Sequence, residues 1–145
     1  MKDFNALSQL KFPYPIKQQV YWGEMDSFGH INNVIYFRYF ETGRIHFFNQ
    51  SDLWKDLDTD TVRIVVVKLE CNFIQEIVYP NEIEIAVAIK AVGNTSLTVH
   101  QIVRDARNPA IVYAHGEGVI VGTDPQTGKS KMWSPELKEK LNKFI

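Results

Sequence analysis

The run from Asn33 to about Gln50 limits the possible folds more than any other. It lacks proline and repeats apolar residues at helical spacing, with Tyr36, Phe40, Gly43 and Phe47 along one face and Val34, Phe37, Ile45 and Phe48 spread round the rest. A helix apolar over most of its circumference has to be wrapped by other elements, not laid on a surface. The residues before it matter as much. From Glu24 the chain passes through a turn holding Asp26, Gly29 and His30 and then enters the helix, where Asn32 or Asn33 offers an amide to cap the first turn. A carboxylate therefore stands beside a helix N-terminus. Such a terminus has unsatisfied N–H groups and roughly half a positive charge, which favours negative charge developing on a carbonyl oxygen.

The other segments read mostly as strands. Ile16 to Met25 alternates loosely and is expected to be a half-buried strand. Val62 to Ile74, Glu82 to Val92, Ser96 to Arg104 and Ala110 to Thr123 follow, separated by turn residues at Tyr79-Pro80-Asn81, Gly93-Asn94-Thr95 and Asp105 to Pro109. Gly93 and Asn94 are expected to take the positive φ of a tight hairpin. Ala114, Gly116 and Gly118 share a face of the last strand, and glycine inside a strand marks close approach of another backbone, expected here to be the long helix. Residues 1–15 read as an irregular arm, Asn49 to Asp60 as a loop with one helical turn, and Ser134-Pro135-Glu136 as the capped start of a helix over 134–145. One strand, a long helix and four consecutive antiparallel strands exclude a parallel βαβ fold. The expectation is one α+β domain over 1–145, with a five-stranded curved antiparallel sheet wrapped round a long central helix and a short C-terminal helix.

Composition narrows the function. The chain has 145 residues, 45% apolar and 23% charged, with net charge −1. Its scattered basic residues give no footprint for nucleic acid. No apolar run nears the roughly 20 residues that span a bilayer, and the N-terminus shows no secretory pattern, so a cytoplasmic protein with no membrane partner is expected. Cys71 is the only cysteine. It falls in register with Val65, Val67, Leu69 and Phe73, which predicts a buried thiol and excludes an internal disulfide. His46, His100 and His115 show no ligand spacing, so no metal site is expected.

The pattern Asp26-x-x-Gly29-His30-Ile31-Asn32-Asn33-x-x-Tyr36-x-x-Tyr39-x-Glu41, followed by four strands, resembles the hotdog-fold acyl-CoA thioesterases of the 4-hydroxybenzoyl-CoA thioesterase type. The element order matches from about Ile16 to Val121, and Asn94-Thr95-Ser96 and Gly128-Lys129 resemble that family's hairpin and late turn. The resemblance implies hydrolysis of an acyl-CoA or acyl-carrier-protein thioester to free acid and thiol. Coenzyme A is then part of the substrate, and no cofactor is needed. It also implies Asp26 as the catalytic carboxylate, either nucleophile or general base, and the backbone N–H of Asn33 as the donor that polarises the thioester carbonyl. Sites at a dimer interface are implied too, with two sheets joined through the strand Val62 to Ile74, giving a homodimer or homotetramer. An exposed strand edge favours association on physical grounds as well.

Several residues keep two readings. Asp26 is either that carboxylate or a solvated acid of the turn, and His30 either contacts Asp26, water or substrate or simply holds the turn together. Asn32, Tyr36 and Ser96 are candidates to touch the substrate. Lys68, Lys90, Arg104 and Arg107 are candidates to hold coenzyme A phosphates, or are plain strand charges. Glu41 lies on the helix, where some other hotdog thioesterases place their acid, but with Asp26 present it is expected to pair with Arg44 at i+3. The competing functions are a non-catalytic acyl-CoA binding module and a hotdog dehydratase, which would need His30 as its base.

Overall fold

A computed structural model of the protein describes residues 5–145; the first four residues of the expected arm lie outside the described residues. In chain order the elements are α1 (Asn5–Ser8), β1 (Ile16–Gln19), α2 (Asn33–Gln50), α3 (Trp54–Leu57), β2 (Arg63–Leu69), β3 (Asn72–Phe73), β4 (Glu82–Val92), β5 (Ser96–Asp105), β6 (Val112–Thr123) and α4 (Pro135–Asn142). The antiparallel sheet runs β1-β4-β5-β6-β2, and β3 continues the β2 edge along β6. It curls as a half-barrel round α2, with α4 beyond it, which is the hotdog arrangement.

The helix seats on the concave face through Tyr36, Tyr39, Phe40, Gly43, Phe47 and Phe48, all buried. Full burial of one such aromatic or aliphatic side chain is worth about 1.5–3 kcal/mol. Gly43 sets the approach distance, because a Cβ there would lie 2.8 Å from Ile85 Cγ2 and 3.1 Å from Val87 Cγ2. The sheet covers one side of α2 only. Val34 and Ile45, on the other side, stay exposed, so a single chain does not wrap the whole circumference.

The convex face is covered as well, which the sequence did not announce. Leu7 from α1 packs on Ala86 and Ile102, joined by Leu10 and Phe12, so both faces of β4 are buried. Arg104 lies over the Phe12 ring at 5.7 Å and pairs with Glu84 at 2.7 Å. From Asn5 on, the arm is therefore an ordered cover and not an irregular lead-in.

Five further expectations need correction. The first strand ends at Gln19, because the Glu24 carboxylate accepts the Tyr21 N–H at 2.8 Å and folds Trp22–Glu24 into a 3₁₀ turn, leaving Trp22 exposed. The run Val62 to Ile74 breaks into β2 and β3 at Glu70-Cys71, where the kinked backbone crosses β6. A Cβ on Gly116 would overlap the Glu70 carbonyl oxygen, so that glycine accommodates this kink and not α2. Because β2 is an edge strand, Val65, Val67 and Phe73 are exposed, and Cys71 is only half-buried. In the β4–β5 hairpin neither Gly93 nor Asn94 has positive φ, and the turn is closed by Gly93 N–H donating to Ser96 O at 2.9 Å.

Candidate active site

The turn before α2 is fixed almost entirely by backbone hydrogen bonds. Asp26 N–H donates to His30 O at 3.1 Å, Gly29 N–H to Asp26 O at 3.1 Å, and Phe28 N–H to Asp26 Oδ1 at 2.9 Å. Gly29 closes it at φ +85°, a conformation in which a side chain would be strained. The turn is then tied outward. Ile31 N–H donates to Ile77 O at 2.8 Å and Asn32 N–H to Glu24 O at 3.0 Å. The Tyr39 hydroxyl, on the buried face of α2, donates to Glu24 Oε1 at 3.0 Å, and burial, then Glu24, pushes its pKa up. Glu24 thus pins the segment before the turn to the helix after it.

Asn32 is the N-cap: its Oδ1 accepts the Val34 N–H at 3.1 Å. Asn33 is the first helical residue, so its N–H has no acceptor within the helix, and the cap spends its oxygen on the next donor but one. That N–H points to where the macrodipole is positive.

The helix start and the turn form one wall of a cavity of about 510 Å³. Asp26, His30, Asn32, Asn33 and Tyr36 all line it, and the segment Phe73 to Glu76 faces them. Ile74 and Gln75 donate their N–H groups to Tyr113 O at 2.8 and 3.2 Å, which holds that opposite wall to β6. His30 Nε2 stands 3.6 Å from Glu76 Oε1 across the cavity. The Tyr36 ring meets Phe73 edge to face, with centroids 5.0 Å apart, and burial pushes its phenol up to about 12, so it is a neutral hydroxyl at physiological pH. The cavity therefore combines a carboxylate, an unpaired helix-start N–H, an imidazole beside a second carboxylate, and an aromatic wall.

Glu76 was not among the residues singled out from the sequence. It follows a two-residue strand in a loop and belongs to no spacing pattern with His30. The remaining candidates lie elsewhere. Lys68 is on the exposed edge 3.9 Å from Glu70, Lys90 pairs with Glu117, and Ser96 lies at the β4–β5 hairpin, its carbonyl accepting the Trp133 indole N–H at 2.9 Å. Arg104 is held by Glu84. The expected Glu41–Arg44 pair does not form. Arg44 is buried and donates to the Gln101 side chain, because its position on α2 faces the sheet while Glu41 faces outward. Among the described residues, no group of three or more His, Cys, Asp or Glu side chains is placed to hold a metal ion.

Comparison with known proteins agrees with the fold. The uncharacterized protein YsmA of Bacillus subtilis (strain 168) is 32% identical over 130 residues, covering 90% of this chain and 86% of that one. A Xanthomonas campestris structure, provisionally designated an acyl-CoA thioesterase, superposes with a TM-score of 0.70 at 31% identity, over 83% of this chain and 100% of that one. A Thermus thermophilus thioesterase complexed with coenzyme A and zinc shares the fold, with a TM-score of 0.73 at 23% identity, over 90% of this chain and 98% of that one. Residues 20–141, which include the turn, all of α2 and every strand from β2 onward, match the thioesterase-like superfamily, and the chain belongs to that superfamily.

Proposed function

We propose that this protein hydrolyses acyl-CoA thioesters in the cavity at the start of α2. The observation that carries the proposal is that Asp26 and the backbone N–H of Asn33 line the same cavity with neither of them consumed by the other. One carboxylate oxygen of Asp26 is occupied by the Phe28 N–H, which orients the group and leaves Oδ2 for chemistry. A thioester already has a good leaving group, so hydrolysis requires an activated oxygen and a donor for the carbonyl oxygen more than a strong acid. In the proposed step a water between Asp26 Oδ2 and the substrate attacks the carbonyl carbon while its proton passes to the carboxylate. The growing oxyanion is met by the Asn33 N–H and the positive end of α2. Collapse of the tetrahedral intermediate breaks the C–S bond and releases coenzyme A thiolate, which takes up the proton. His30, oriented by Glu76, faces the same space and holds the attacking water or the leaving sulfur in line.

The proposed working form is a homo-oligomer. The β2 edge carries unpaired backbone groups, and its Val65, Val66 and Val67 are 45%, 42% and 60% exposed, a long apolar edge that a second copy would cover. Among the described residues no helix is long and apolar enough to cross a membrane.

The test is thiol release from short-chain, long-chain and aromatic acyl-CoAs by wild type and Asp26→Asn together. Turnover in the variant should fall by at least about a hundredfold, in the range seen when a single transition-state contact is removed, with the melting temperature unchanged. An Asp26→Asn protein working at the full rate sinks the assignment. Binding without turnover across the panel would identify an acyl-CoA binding module instead.

A further inference from the structure

A second cavity, of about 210 Å³, opens between the outer flank of α2 and the β2 edge. Its walls are apolar, with Ile45, Phe48, Trp54, Ile64 and Val66 among them, and Trp54 stacks on Phe48 at 5.8 Å between centroids. Arg44 also lines it and is out of place there. The residue is 7% exposed, its hydrogen bond goes to the neutral Gln101 side chain, and among the described residues no carboxylate lies within ion-pair distance of it. A guanidinium stays protonated in proteins, and a buried charge is ordinarily paired. Glu41 lines the same cavity, but on the exposed side, where solvent screens its charge. Glu41 acts on Arg44 through space without pairing with it, so an anion entering the cavity would supply the direct ion-pair partner that the described residues do not.

The two cavities are separate in their linings but both adjoin α2 and the β2–β3 edge. Asn33, Phe37, Glu41, Arg44 and Phe48 follow each other at intervals of four, four, three and four residues, the spacing of one flank of a helix. Phe73, on the β3 continuation of the same edge, lines the first cavity, and Ile64 and Val66 on β2 line the second. We infer that the substrate class comprises thioesters of acyl groups ending in a carboxylate, with the thioester at Asn33, the chain along the α2–β2 flank and the distal carboxylate on Arg44. This rests on the hydrolytic reading of the first cavity. Asn33 and Arg44 are about 16 Å apart along the axis at about 1.5 Å per residue. The arginine side chain leans back toward the helix start, which shortens the span to about 10 Å. At about 1.2 Å per bond of extended chain, the acyl group has about nine to fourteen carbons.

The experiment compares kcat/KM for ω-carboxyacyl-CoA and methyl-terminated acyl-CoA of equal length, at ten and twelve carbons, in wild type, Arg44→Met and Arg44→Lys. Calorimetry of the free ten-carbon dioate against decanoate runs in parallel. Wild type should favour the ω-carboxy ester by about tenfold or more, as expected for a hydrogen-bonded charge pair. Arg44→Lys should keep part of that ratio, and Arg44→Met should abolish it together with the preference for the dioate. A wild-type ratio of one overturns the inference without any variant, as does an unchanged ratio in a folded Arg44→Met. If no ester is hydrolysed while the dioate binds wild type and not Arg44→Met, the hydrolytic reading fails and the Arg44 assignment stands. If both esters are hydrolysed equally, only the Arg44 assignment fails.

Discussion

The two ends of α2 are built to opposite purposes. At the C-terminal end Phe47 is sealed among Leu53, Leu57, Trp133, Leu137 and Leu141, all buried, and its ring meets Tyr14 at 5.6 Å and Phe144 at 5.3 Å. At the N-terminal end Asn33 and Val34 are exposed and the first turn faces an open cavity. The sealed end takes its energy from dispersion and burial, whereas the open end keeps a backbone donor unpaired. An unpaired N–H costs stability unless water or a ligand meets it. The contrast shows how one helix tolerates such a donor: its position is already fixed from the far end and by Gly43 against Ile85.

The largest expected effect comes from attacking the sealed end. Phe47→Ala should lower unfolding free energy by about 3–5 kcal/mol, the range for deleting a buried aromatic, as measured by urea denaturation. If residual folded protein keeps its kcat, the two ends are energetically separate. Asp26→Asn is the converse, with turnover lost and stability kept.

Next in size is a pH effect on neither end. His100 Nε2 and His115 Nδ1 lie 3.0 Å apart on the convex face, and burial, then His115, lowers the His100 pKa to about 4. Because the folded state disfavours the charged imidazole relative to the unfolded chain, stability is complete above pH about 6.5. It is lost as pH falls from there toward about 4, by up to about 3 kcal/mol. The difference between wild type and His100→Gln, followed by thermal melting from pH 7.5 to 4, should show that loss in wild type alone. Parallel slopes would mean that the pair carries no proton linkage.

The smallest effect sharpens the comparison most. Asn32 caps α2 and Ser134 caps α4, whose Oγ accepts the Leu137 N–H at 3.1 Å. Replacing either by alanine should cost about 1 kcal/mol of stability. Only Asn32→Ala should also reduce turnover, by about tenfold, since only its helix start lines the cavity. Equal turnover in the two variants would detach the cap from the chemistry.

Much of this was legible in the residues. The limits of α2 at Asn33 and Gln50, the span of β4 and the Ser134 cap follow from local patterns, because helix periodicity, strand alternation and capping are set by neighbours in the chain. The convex cover was not legible. Leu7, Leu10 and Phe12 form no period, and only the sheet's curvature brings them onto Ala86 and Ile102. Trp22 failed for a related reason, since a strand pattern continued past the point where the Glu24 side chain captured the backbone.

By itself the sequence determined the order of the long strands and helices, the antiparallel sheet round a single long helix, and a carboxylate and an amide cap at that helix's start. All of these are encoded over a few successive residues. Tertiary structure alone decided that Glu76 faces His30, that Gly116 yields to Glu70, and that Arg44 turns inward to Gln101 and away from Glu41. Each of these joins residues distant in the chain, and which of them meet depends on how the sheet curls and which strand is left at its edge, quantities that no local spacing contains.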